Sequence, residues 1–209
     1  MDRVITFCSL LWEVNDKSHE FSRAYDASWA EKLFNGFRRH CTLPYRCVLY
    51  TDRPRDLPEN IVQVVQPDLG VNGYGDCIRP FEMNAPMILV GLDTLIIGSI
   101  DKFAQWCLDN PGKLALPKHP YENWSINGVT LWGGHNERIF ADWRGENDMD
   151  WIREFPHDRI DDLWPGKIVS YRAHMRGKVL PKTPRIVYFH GRLKPNELLD
   201  KPLIRDNWR

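Results

Sequence analysis

The chain has 209 residues, 43% hydrophobic and 27% charged, enough apolar material for one packed domain spanning residues 1–209. Lys+Arg and Asp+Glu both number 28, so the formal charge is zero. That makes nucleic acid an unlikely partner, because holding it by phosphate neutralisation needs a basic face. No stretch approaches the roughly 18 apolar residues of a membrane span, and the N-terminus lacks a secretory signal. Cys8, Cys41, Cys47, Cys77 and Cys107 form no C-x-x-C pair, and three of them sit in apolar stretches as expected of buried thiols. These features together lead to a cytoplasmic expectation.

In chain order, Val4 to Phe7 reads as a first strand. Residues 18–40 carry Phe21, Tyr25, Trp29, Leu33 and Phe37 at steps of four, the apolar stripe of a helix that Ser18 is placed to cap. Arg46–Tyr50 and Ile61–Val65 are the next strands, and the Gly- and Asp-rich residues 67–80 a loop. Met87–Val90 is almost wholly apolar, as in a central strand covered on both faces, and Leu95–Ile97 is a second such piece. Then follow a helix near 101–109 with Asp101 as its N-cap, strands near 113–116 and 128–132, a helix near 148–154 and a strand at 185–189. Strands alternating with helices predict an α/β fold, a mixed and mostly parallel sheet flanked by helices. Ligands of such sheets bind beyond the carboxyl ends of the strands.

The polar clusters that follow these strands are the candidate site. Asp93 is a carboxylate between two apolar runs, MILV and LII. A buried charge there has to face a cavity, pair with a cation or bind a metal, unless it caps a strand-end turn. At the last strand's end, Gly191 allows a tight turn, and Arg192 and Lys194 set two cations beside it, suited to a diphosphate. A solvated basic turn is the plainer reading. Asn127 beside Gly128 is ordinary turn chemistry, and the helix dipole alone favours Asp148 and Asp150 at a helix start. His119 and His157 read as surface residues.

Several of these segments resemble GT-A nucleotide-sugar glycosyltransferases, in particular the glycogenin-like retaining enzymes and their bacterial relatives. MILVGLDTLIIGSID resembles their metal-binding strand, with Asp93, Gly98 and Asp101 in register and Gly91 in place of the first Asp of Asp-x-Asp. IVYFHGRLKP resembles their C-terminal His-x-x-Gly-x-x-Lys-Pro loop, although Tyr188 stands where that pattern has His. SINGVTLW resembles the strand start that contacts the donor sugar, and NDMDWI the Asp-Gln-Asp helix start near the reactive carbon. Ser170-Tyr171-Arg172 matches a Ser-Tyr-Lys stretch of the bacterial relatives, to which no chemical role attaches.

The resemblance implies a Rossmann-type GT-A fold. It further implies transfer of a sugar from a nucleoside-diphosphate sugar, most simply a UDP-sugar, to an acceptor hydroxyl. Asp148 and Asp150 would be catalytic or orient the acceptor. Thr6, Tyr50 and Asp52 would hold the base, and Arg79 the ribose or phosphate. Asn127 would meet the sugar, and Asp93, Gly191, Arg192 and Lys194 the diphosphate. A divalent cation, Mn2+ or Mg2+, would rest on Asp93 and His190, with Gly91 removing one carboxylate from that set. Other readings stay open: a nucleotide-sugar hydrolase or nucleotidyl-type enzyme, a non-catalytic nucleotide-sugar-binding module, which Gly91 favours, and glycosylation of a nucleic-acid base.

Overall fold

A computed structural model describes residues 3–177 and 183–209. Its strands and helices run β1 (Ile5–Leu11), α1 (Ala27–His40), β2 (Tyr45–Thr51), β3 (Ile61–Val65), β4 (Met87–Val90), β5 (Leu95–Ile96), α2 (Asp101–Asp109) and β6 (Leu114–Leu116). There follow β7 (Val129–Trp132), α3 (Arg138–Ala141), α4 (Asp148–Arg153), β8 (Asp158–Arg159), α5 (Ile160–Leu163), β9 (Ile168–Ser170), β10 (Ile186–Tyr188) and α6 (Pro202–Asn207). Among the described residues, seven strands form one sheet in the order β3-β2-β1-β4-β7-β6-β8. The pairs β1–β2, β1–β4, β2–β3 and β6–β8 are parallel, and β7 runs antiparallel to both its neighbours. A second sheet orders β5-β10-β9, with β10 antiparallel to β5 and parallel to β9. The α/β architecture with a mixed, mostly parallel sheet flanked by helices is therefore as the sequence predicts. No helix among the described residues is long and apolar enough to cross a membrane.

Period-two alternation puts a core on each face of the large sheet. Ile5, Phe7 and Leu11 of β1 join Leu49 of β2, Ile88 of β4 and Leu131 of β7 on one face. There they meet Leu33, Phe34 and Phe37 of α1, Phe103 of α2, and the small sheet's Leu95 and Val187. Cys8, Val48, Met87 and Trp132 point the other way, against Ile78, Phe81, Ile139 and Ile152. Each face buries large side chains at about 25 cal/mol per Å2 of apolar area, which is why these strands read as continuous apolar runs.

Three departures from the expected elements bear on the site. Strand β1 is longer than the Val4–Phe7 run and ends at Leu11, so Thr6 lies near its beginning. The helix predicted from residue 18 starts instead at Ala27, because the Asp26 carboxylate accepts from the Ser28 amide at 2.9 Å and caps it there. Phe21 lies in a separate 3-10 turn, Glu20–Ala24, with Tyr25 just after it, so both are free to turn away from the helix stripe. Asp101 is the first residue of α2 rather than its cap; its carboxylate accepts from the Thr42 amide (2.8 Å) and hydroxyl (2.9 Å) and ties α2 to the end of α1.

Candidate functional site

The junction of the two sheets encloses a cavity of about 360 Å3. It opens beyond the carboxyl ends of β1, β4 and β10, where the chain leaves β4 through Gly91-Leu92-Asp93 to enter β5. Sheet switch points of this kind are where α/β folds take their ligands. Of the residues singled out from sequence, Asp93, Asn127, Asp148, His190, Gly191 and Lys194 line it. They come from four separate segments of the chain.

Asp93 and Lys194, 101 residues apart, meet at 2.5 Å, and both are buried, at 8% and 3% exposure. The same carboxylate oxygen accepts from the Tyr25 hydroxyl at 2.8 Å. The Lys194 ammonium also lies 4.0 Å over the Phe21 ring, an aromatic face that favours a cation. A buried ion pair is held only when hydrogen bonds complete it, and Tyr25 supplies one. Burial, and after it the Asp93 charge, pushes the Tyr25 hydroxyl far up, so Tyr25 remains a donor to that carboxylate. The break between the 3-10 turn and α1 is thus what delivers Phe21 and Tyr25 to the site.

On the opposite wall, Asn147 caps α4 by accepting from the Met149 and Asp150 amides (3.1 and 3.2 Å). This sets Asp148 inward, where Asn127 Nδ2 donates to it at 2.5 Å. Asp148 is 7% exposed, and burial raises its carboxyl to about 6 despite the Asn127 hydrogen bond. Cys77 lies beside it, its thiol held well up by burial and then by the Asp148 charge. Asp150, two residues on, faces out with its side chain 70% exposed and pairs with Arg153.

His190 Nδ1 shares a hydrogen bond of 2.8 Å with Ser170 Oγ, which ties the ends of the parallel strands β9 and β10 together. Burial, then the Arg172 charge, lowers the His190 imidazole, so it is neutral at pH 7. Of the residues the resemblance places on a divalent cation, Asp93 has one oxygen engaged by Lys194 and Tyr25, Gly91 contributes no side chain and His190 Nδ1 is engaged by Ser170, so the remaining ligands of such an ion would have to come from water or substrate phosphate. A Cβ at Gly91 would stand 2.9 Å from Asp93 Oδ1. No group of three or more His, Cys, Asp and Glu able to hold a metal occurs among the described residues.

The remaining singled-out residues lie elsewhere. Thr6 is buried in the sheet and accepts from Arg46 Nε at 2.9 Å. Tyr50 is packed in the second core beneath the sheet. Asp52 pairs with Arg55 and accepts from the Glu13 amide at 3.2 Å. Arg79 is spent on Asp68 (2.8 Å) and Asp76 (2.9 Å). Asp76, wholly buried, also accepts from the Gly70 amide at 2.5 Å and Asn72 Nδ2 at 3.1 Å, so this Gly-rich loop is held by its own carboxylate. Arg192 faces an adjoining cleft rather than the cavity.

The cavity wall also includes residues to which sequence reasoning assigned no site role, among them Trp12, Phe21, Tyr25, Tyr74, His119 and Trp124. His119, expected at the surface, stacks on Trp124 with ring centroids 4.1 Å apart and planes 18° apart. Arg153 lies over the same Trp124 ring at 4.4 Å. A Trp, a Tyr and a His together in a Pro-punctuated loop between strands is the available signal, since binding residues concentrate on loops held by a rigid scaffold. The whole constellation offers an aromatic hollow with one buried cation and one carboxyl that titrates near 6. A scan against protein-family models and a search of curated proteins both return no match for this chain, so its functional reading rests on that geometry.

Proposed function

We propose that the cavity binds a nucleoside-diphosphate sugar and that the protein transfers the sugar to an acceptor hydroxyl, as a GT-A-type glycosyltransferase. One observation carries this reading: Asp93, Asn127, Asp148, His190, Gly191 and Lys194 converge on a single cavity at the carboxyl ends of the strands. The aromatic walls suit base and sugar, which both present flat apolar faces. Departure of the diphosphate builds negative charge, and a prepositioned cation in a water-poor site lowers that barrier. Lys194, fixed by Asp93, is that cation in this reading. Asp148 takes the acceptor proton: a carboxyl titrating near 6 is ionised at neutral pH yet basic enough to accept it. Asn127 orients Asp148 through its hydrogen bond.

A second reading has a specific observation behind it. With Gly91 in place of a carboxylate and Asp93 already paired to Lys194, the cavity also suits a module that binds nucleotide-sugars without turning them over.

Incubation with a panel of UDP- and other nucleotide-sugars, followed by assay of released nucleoside diphosphate with Mn2+ and with chelator, separates the two. The transferase reading expects nucleoside-diphosphate release that Asp148→Asn lowers by about 100-fold or more. A melting point raised by nucleotide-sugar without any turnover supports the module. Neither stabilisation nor turnover with any donor rejects both.

A further inference from the structure

Outside the cavity a second cleft of about 360 Å3 is lined by Arg172, Arg176, His190, Arg192, Leu193 and Glu197. Among the described residues it shares only His190 with the cavity, so that side chain is the partition between them. Strands β9 and β10 are parallel with Tyr188 opposite Ser170, and Arg172 and Arg192 follow soon after those two strand ends. The Ser170–His190 hydrogen bond and the Tyr171–Phe189 stack (4.8 Å, 12°) fasten the two strand ends to each other. Gly191, at φ +78°, lets the chain turn, and a Cβ there would stand 3.2 Å from an Arg172 guanidinium nitrogen. The backbone that carries Arg172 and Arg192 is therefore fixed.

All three arginines are exposed, and none is paired with a carboxylate among the described residues. Some arginines elsewhere do hold a carboxylate, as Arg79 with Asp68 and Asp76, Arg138 with Asp142 and Arg205 with Asp206, while others, such as Arg39 and Arg46, donate to backbone carbonyls or a hydroxyl. Among the described residues, three guanidiniums face one carboxylate in the cleft, Glu197, whose Oε1 accepts from the Lys194 amide at 3.0 Å. The surplus of two positive charges matches a doubly charged phosphate better than a single carboxylate, and the guanidinium fork fits phosphate oxygens in pairs.

We propose that Arg172, Arg176 and Arg192 form an anion subsite, divided from the cavity by His190, that takes a phosphate or diphosphate group. The group belongs either to the cavity's own ligand reaching past His190 or to a second, phosphate-bearing molecule. The subsite stands on its own observations and does not need the transferase reading.

Inorganic pyrophosphate is the probe, titrated by calorimetry into the full chain at low salt. Binding is expected to weaken about tenfold in Arg172→Ala and to vanish in the Arg172→Ala/Arg176→Ala/Arg192→Ala triple variant. Arg138→Ala, a surface arginine outside the cleft, is expected to bind as the original does. Glu197→Gln should bind about threefold tighter, because it removes the opposing charge. Unchanged melting points show that the variants fold. No binding by the original protein, equal binding by the triple variant, or an equal loss in Arg138→Ala overturns the subsite. UDP tells the two sources apart. Competition with pyrophosphate, lost in Arg172→Ala, assigns the group to the nucleotide, whereas simultaneous binding assigns it to a second ligand. If UDP does not bind at all, the transferase reading suffers while the pyrophosphate result still decides the subsite.

Discussion

Lys194 and Arg192 sit two residues apart on one loop and live in opposite surroundings. Lys194 is buried against Asp93, Tyr25 and the Phe21 ring, on the cavity side of the loop. Arg192 is exposed in a cleft with two other arginines and no carboxylate partner among the described residues. The difference follows from desolvation. An ammonium taken out of water needs a fixed counter-charge, whereas a guanidinium at the surface keeps its hydration and stays open to a ligand. Positive charge in a sequence therefore marks two kinds of group, one fixed by a buried counter-charge and one solvated at the surface, and only burial separates them.

The sharpest way to break this contrast is to remove one member of the buried pair. Asp93→Asn or Lys194→Met is expected to cost about 3–5 kcal/mol of unfolding free energy, read by urea denaturation, because the surviving charge is left buried and alone. The Asp93→Asn/Lys194→Met double variant should recover much of that loss. A single variant as stable as the original would mean that the pair is solvated and the contrast false.

Asp148 tests the same wall through pH. Its carboxyl is raised in the folded state to about 6, so the folded protein binds this proton more tightly than the unfolded chain does. The associated stability is full below the unfolded carboxyl range near 4 and is lost as pH rises through 6, a swing on the order of 2–3 kcal/mol. Unfolding curves between pH 4 and 7 should show it, and Asp148→Asn should flatten it. In the transferase reading the rate moves the other way and rises as pH climbs through about 6. A rate independent of pH across that span would remove Asp148 as the proton acceptor.

Gly191→Ala sharpens the rim side of the comparison. A residue with a Cβ at φ +78° costs about 1–2 kcal/mol, and the new methyl crowds Arg172. Melting temperature should drop modestly and pyrophosphate binding should weaken a few-fold. The smallest effect belongs to Asp150→Asn. Its exposed pair with Arg153 is worth at most about 0.5 kcal/mol, and activity should be unchanged, in contrast to Asp148 two residues earlier.

The strand pattern was legible because it is local chemistry. Ile61–Val65, Met87–Val90 and the helix Asp101–Asp109 fall where apolar runs and periodicity place them. Asp93 was legible too, as a carboxylate that apolar flanks forbid from being idle. The helix expected from residue 18 was not, because a stripe at steps of four cannot reveal that Asp26 captures the Ser28 amide and restarts the helix. Thr6, Tyr50 and Asp52 stand out in the sequence for positions beside strand ends and Arg79 for following the Gly-rich loop, but β1 runs on to Leu11, and Asp52 and Arg79 have guanidinium or carboxylate partners inside the fold.

By itself, then, the sequence determined the alternation of strands and helices, the two-faced burial of β4, and the presence of charge at strand ends. Those properties depend on neighbours within a few residues. Tertiary structure alone decided that Lys194 would face Asp93 across 101 residues and that His119 would stack on Trp124 inside a cavity. It alone gathered three arginines from two strand ends into one cleft. Whether an ionisable side chain is partnered or open depends on what the rest of the chain brings within about 4 Å of it, and no run of adjacent residues encodes that distance.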